Sequence, residues 1–165
     1  MAALEAGVTA PDFTLSGMSG EKVSLAESLK KGPLLAAFFK ISCPVCQYAF
    51  PYLERIFRAY SGSPVTLVGV SQDEKKESAA FAREYGVTFP LLLDDTRTYP
   101  VSNAYGLTNV PTIFLISPGG KVEFSSVGWS KRDIEDLNAR IAKVLGTPPA
   151  RIFKPGETVD EFKPG

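Results

Sequence analysis

The sequence predicts an α/β fold: a central mixed β-sheet flanked by helices on both faces. Three features carry that expectation. Leu34-Leu35-Ala36-Ala37-Phe38-Phe39 is an unbroken apolar run ahead of Lys40, which suits a strand covered on both sides. A helix-length segment, residues 47–60, follows with Tyr48, Tyr52, Leu53, Ile56 and Phe57 at helical spacing, so one face should pack on the sheet. Strand-like and helix-like segments then alternate as far as Gly146, as they do in sheets covered by helices.

In chain order, residues 8–25 suggest a small antiparallel hairpin, Phe13-Thr14-Leu15 against Val23-Ser24-Leu25 around a turn through residues 16–21. Residues 26–31 form a short helix ended by Gly32-Pro33, which launches the central strand. In the segment 47–60, Pro51 leaves the Gln47 carbonyl without its partner and predicts a kink. Residues 61–64 break that helix, and Val65-Thr66-Leu67-Val68-Gly69-Val70 reads as a second buried strand. Ser71 and Glu74 have capping-box spacing, start a helix through Tyr85 and leave residues 73–77 as a solvated first turn. Gly86 stops it. Residues 89–93 are a short strand, residues 100–105 a short helix, and residues 112–116 and 122–127 the clearest hairpin in the chain. Ser130 caps a last helix with Asp133 three residues on. Ile134, Leu137, Ile141, Val144 and Leu145 make its apolar stripe, and Gly146 ends it.

The only two cysteines, Cys43 and Cys46, sit in Cys43-Pro44-Val45-Cys46 at the junction of the central strand and the following helix. Cys43 falls at the helix N-cap, where unpaired backbone N–H groups and the helix dipole favour a thiolate. Pro44 occupies the first helical position, where its missing N–H costs nothing. Cys46, about one turn on, is near enough to close a disulfide with Cys43. The residues therefore propose a reversible dithiol/disulfide couple.

Strand, Cys-x-x-Cys and helix, followed downstream by Gly106-Leu107-Thr108-Asn109-Val110-Pro111-Thr112 and a terminal amphipathic helix, resemble the thioredoxin superfamily. Ala10-Pro11-Asp12-Phe13-Thr14-Leu15 and Phe50-Pro51-Tyr52-Leu53 narrow the resemblance to the TlpA/ResA-like thiol–disulfide oxidoreductases, relatives of the AhpC/TSA redoxins. It covers residues 8–146 and implies a thioredoxin-like fold with an N-terminal hairpin and a central βα insertion. It also implies that Pro111 is a cis-proline facing the dithiol and that Val110 presents its backbone to an extended substrate. Pro44, Val45 and Trp129 would border the same groove. Trp129, the only tryptophan, is either an apolar platform for substrate or a core aromatic. Tyr48 and Phe50 read as helix packing. The function expected is cofactor-free exchange of disulfides with protein partners, Cys43 attacking and Cys46 resolving.

The chain departs from the resemblance in its acids. Thioredoxins carry a buried aspartate where this chain has Ala37, ResA-like proteins a glutamate where it has Ala49, and the usual tryptophan before the first cysteine is Ser42. There is no histidine, so proton transfer at Cys46 falls to water, Lys40 or a carboxylate such as Glu54. Lys40 either tunes the thiols by its charge or reaches for solvent. Two rival functions remain open: a thiol peroxidase, whose threonine or serine and proline before the cysteine are absent, and a non-catalytic binding module. A structural zinc site would need four ligands, which two cysteines alone do not supply.

Eighteen basic and eighteen acidic residues cancel, so no global field draws the chain to nucleic acid or an anionic membrane. No apolar run has the length of a membrane span, and residues 1–7 lack the basic and apolar regions of a secretory signal. As written the chain is expected in the cytosol, and outside it if a leader has been removed. Monomer and weak dimer both stay open. The domain is expected to end at Gly146. Residues 147–165 hold four prolines and two Lys-Pro-Gly units, which bar an ordinary helix. They read as an extended tail, packed on the domain, loose, or used as a docking or dimer contact.

Overall fold

The computed structural model describes residues 3–165; the part of the N-terminal reading that rests on Met1 and Ala2 lies outside them. A seven-stranded mixed sheet runs through the centre. Its strands are β1 (Thr14–Gly17), β2 (Lys22–Ser24), β3 (Leu34–Phe39), β4 (Thr66–Ser71), β5 (Leu91–Leu93), β6 (Thr112–Ile116) and β7 (Val122–Val127), in the spatial order β2-β1-β5-β4-β3-β6-β7. β3, β4 and β5 are parallel neighbours, and the remaining pairs are antiparallel.

β3 is buried along its whole length, and its alternation divides the core. Leu35, Ala37 and Phe39 join one apolar cluster with helices α2 (Pro44–Ala59), α3 (Lys75–Tyr85) and α5 (Lys131–Leu145). Leu34, Ala36 and Phe38 join the other, with α1 (Leu25–Leu29) and Tyr105 at the end of α4 (Pro100–Ala104). Successive side chains of a strand point to opposite faces, so a strand apolar at every position needs cover on both, as predicted.

The hairpin of β6 and β7 has the predicted bounds, and Ser130 caps α5 by accepting the Asp133 N–H at 3.1 Å. The first hairpin turns over fewer residues than predicted, because Ser16 and Gly17 continue β1 and pair with β5 as well. α2 runs through Pro51 without ending.

One reading is corrected. Ser71 does not cap α3, whose N-cap is Glu74 without a side-chain cap bond. Ser71 is the last residue of β4, fully buried, and its Oγ accepts the Asp73 N–H at 3.0 Å and pairs with Ser78 Oγ at 2.6 Å. The serine tightens the strand-to-helix turn instead.

After α5 the chain crosses back over α2 and forms β9 (Phe162–Lys163), paired with β8 (Trp129–Ser130). The Arg55 guanidinium holds this return with both Nη atoms on Glu157, each at 2.7 Å, and Nη1 also donates to Ile152 O at 3.0 Å.

Candidate active site

The strand β3 ends at Phe39, and four residues later Cys43 takes the N-cap of α2 with an extended backbone. Its Sγ accepts the Cys46 N–H at 3.2 Å, as a capping side chain does for a helix whose first donors lack partners. Pro44 follows at the first position of the helix, where no donor is needed. From across the site the Val110–Pro111 peptide is cis. It brings the Val110 carbonyl to 3.4 Å from Cys43 Sγ, which donates to it. The two sulfurs are not bonded to one another.

The cysteines occupy different environments. Cys43 is half-buried, beside the exposed Pro44 and half-buried Val45. Cys46 is 0 % exposed and shares an apolar cluster with Ala37, Ala49 and Phe39. Burial pushes the Cys46 thiol well above its ordinary range and a hydrogen bond with Cys43 adds to this; the Lys40 backbone pulls the other way, and the charges of Cys43 and, least, Asp73 raise it further. Where relatives are expected to carry an acid, Ala37 and Ala49 are both 0 % exposed. They make the wall behind Cys46 apolar.

Glu54 is not the missing proton carrier. It lies eight residues beyond Cys46 on α2, about 12 Å along the axis, and its carboxylate is spent on Thr88 N–H at 2.8 Å, Thr88 Oγ1 at 2.5 Å and Arg58 Nε at 2.7 Å. Burial works to raise its pKa, but those donors outweigh it and hold the carboxyl below its usual range. Lys40 is exposed, its ammonium 5.8 Å from the centre of the Tyr99 ring.

Asp73, expected in a solvated first turn, lies instead beside the dithiol turn. Its Oδ2 accepts the Ile41 N–H at 2.8 Å, while Gln47 Nε2 donates to Ile41 O at 2.9 Å. The peptide groups of the turn that carries Cys43 are thus held from both ends. Nothing local could have announced this contact, which joins residues 32 apart in sequence.

Trp129 is 1 % exposed. It packs on Tyr48 and Tyr52, with ring centres 5.1 and 4.9 Å away, and donates its Nε1–H to Asp160 O at 2.6 Å. It is packed as a buried aromatic beneath the tail. Among the described residues, no group of three or more His, Cys, Asp or Glu side chains is arranged to hold a metal ion.

Comparison with known proteins shows the family. The profile of the AhpC/TSA family matches residues 6–125. The chain belongs to the AhpC/TSA family. Within it the chain is ResA-like: it is 36% identical over 135 residues to the thiol-disulfide oxidoreductase ResA of Geobacillus thermodenitrificans, covering 81% of this chain and 76% of that one. With ResA of Bacillus subtilis it shares 35% identity over 153 residues, covering 92% and 78% of the two chains. Among solved structures, a thiol:disulfide interchange protein from Bacteroides sp. superposes with a TM-score of 0.73 at 25% identity, covering 88% of this chain and 93% of that one. This AhpC/TSA-family chain is a TlpA/ResA-like member of the thioredoxin superfamily and a thiol–disulfide oxidoreductase. No helix among its described residues is long and apolar enough to cross a membrane.

Proposed function

We propose that Cys43 and Cys46 are the redox couple of this oxidoreductase and that it exchanges disulfides with protein partners. The observation that carries the reading is the asymmetry of the pair: Cys43 reaches the surface at a helix N-cap, and Cys46 lies sealed one turn behind it. Such a pair divides the labour of exchange.

The Cys43 thiolate attacks one sulfur of a partner disulfide. That S–S bond breaks, a Cys43–partner disulfide forms, and the departing partner sulfur takes a proton. Cys46 then loses its proton and attacks Cys43 Sγ. The mixed disulfide breaks, the second partner sulfur leaves as a thiol, and Cys43–Cys46 remains as the disulfide. Two electrons pass from the protein's dithiol to the partner, and the reverse sequence oxidises a partner dithiol.

In this reading Pro111 and Val110 form the wall opposite the sulfurs, with Pro44 and Val45 beside them. The raised pKa of Cys46 keeps it a thiol until the mixed disulfide forms.

The test is a Cys46→Ser variant of the reduced protein mixed with insulin. A stable mixed disulfide on Cys43, found by mass spectrometry, is the expected product. Faster alkylation of Cys46 than of Cys43 in the wild type at neutral pH would reverse the roles. Peroxide consumption with dithiothreitol, without reduction of insulin, would make the chain a thiol peroxidase.

A further inference from the structure

The end of the chain returns to the dithiol. Asp160 is fixed by its backbone on both sides, its carbonyl accepting from Trp129 Nε1 at 2.6 Å and its N–H donating to Tyr48 Oη at 2.9 Å. Beyond it Lys163 pairs with Trp129 in the β8–β9 ladder, and its ammonium stands 4.9 Å from the Tyr48 ring centre. Finally Asn109 Nδ2 donates to Gly165 O at 3.0 Å.

These contacts put backbone against backbone. A Cβ on Gly165 would come within 2.7 Å of Val110 O, and one on Gly128, whose φ of +75° already favours glycine, within 2.5 Å of Lys163 O. The Val110 carbonyl against which Gly165 sits is the one that accepts from the Cys43 thiol. Tail and nucleophile therefore meet at one peptide group.

We propose that residues 160–165 are a specificity-determining strap: they occupy the outer edge of the Val110–Pro111 loop, so a small disulfide reaches Cys43 past them while a polypeptide must lift them first. The proposal rests on the reading above, in which an extended partner lies along Val110.

The attachment is graded in the way such a strap requires. Glu157 and Asp160 are anchored by the bidentate ion pair and by the Trp129 bond. The last three residues rest on the short β8–β9 ladder, on the half-exposed Lys163 ammonium between the Asp160 carboxylate at 2.9 Å and the Tyr48 ring, and on the Asn109 bond. Pro164 brings no N–H, and the Phe162 side chain is 64 % exposed, so little apolar surface resists lifting. Residues 163–165 can lift while the part anchored at Glu157 and Asp160 stays.

The test compares two disulfides in single turnover with the prereduced full chain: insulin, and hydroxyethyl disulfide. The readout is the ratio of their second-order rate constants in wild type, in Asn109→Ala, and in the double variant Lys163→Gly, Pro164→Gly. Loss of one or two of the holding bonds is expected to raise the insulin-to-small-disulfide ratio by about five- to tenfold. An unchanged ratio in Asn109→Ala overturns the strap. A lowered ratio overturns it too, because the tail would then recruit polypeptides. If the double variant fails to fold, Asn109→Ala alone decides. Failure of the dithiol reading looks different: wild type then reduces neither disulfide.

Discussion

At the scale of single residues the site is governed by what surrounds Cys46. A thiol whose folded pKa lies above its unfolded value holds its proton more tightly in the native state. Its contribution to stability is then complete below the unfolded pKa, about 8.5, and is lost as pH rises from there toward the folded value. The reduced protein should accordingly lose up to about 1.4 kcal/mol of unfolding free energy per pH unit above ~8.5, measured by urea denaturation between pH 8 and 10.5. Tyrosines also titrate at high pH, Tyr52 being pushed up to about 12, chiefly by burial. The decisive measurement is therefore the difference from Cys46→Ala, and a parallel decline in that variant would remove burial of Cys46 as the cause. A second expectation concerns Asp73. Its charge disfavours the Cys46 thiolate, while its Oδ2 accepts from Ile41. Asp73→Asn keeps an acceptor there and removes the charge, so Cys46 should deprotonate at lower pH. The pH midpoint for resolving a mixed disulfide on Cys43 should fall; a midpoint that stays put or rises would exclude that coupling. The pair Cys43 and Cys46 was legible from spacing alone, because an N-cap and a first turn are local structure. Asp73 was not legible, because what matters about it is a contact across two strand ends.

At the scale of elements, the parts set by short-range rules were readable and those set by long-range ones were not. The hairpin of β6 and β7 follows from a continuous apolar strand and an alternating one around Ser117-Pro118-Gly119-Gly120-Lys121, and α5 from its cap, stripe and terminal glycine. Ser71 shows the opposite case. Its spacing to Glu74 suited a cap, but six consecutive rungs against β3 kept Ser71 in the strand, and ladder pairing outweighed one cap bond of about 1 kcal/mol. The tail's prolines excluded a helix without saying where an extended segment would lie. Its docking has a checkable pH dependence. The Arg55 guanidinium, with the Lys154 backbone N–H, holds the Glu157 carboxyl down to about 2. A depressed carboxylate supplies its stabilisation fully above the unfolded pKa of about 4.3 and loses it as pH falls toward the folded value. Because the tail covers Trp129, the only tryptophan, its emission should shift toward that of a wet indole between pH 4.5 and 2. Glu157→Gln should remove that step, whereas an identical step in the variant would assign it to other carboxylates.

At the scale of the whole molecule, the sheet separates the work of staying folded from the chemistry proposed for the dithiol. The dithiol, the tail and Asp73 belong to the face and the loop ends beside α2, while the opposite face holds Phe38, Phe114 and Tyr105 in mutual contact, with ring centres 5.2 to 5.7 Å apart. Phe38 is 0 % exposed, and a strand this tightly enclosed has little freedom to close over a void. Phe38→Ala should therefore cost about 3–5 kcal/mol and lower the melting temperature by roughly 10 °C in a domain of this size. Its neighbour Phe39 points the other way, within 4.5 Å of the Phe50 ring centre on α2, so Phe39→Ala removes a similar volume from the face that carries α2 and its cysteines. Both variants should be similarly destabilised, yet only Phe39→Ala should change the exchange rate of Cys43, because only it loosens the helix whose first turn holds the sulfurs. Measured well below both melting temperatures, the rate in Phe38→Ala should stay within about twofold of wild type, less than 0.5 kcal/mol on the barrier. Equal losses of rate in the two variants would mean that the faces are mechanically coupled and that the sheet does not insulate the site.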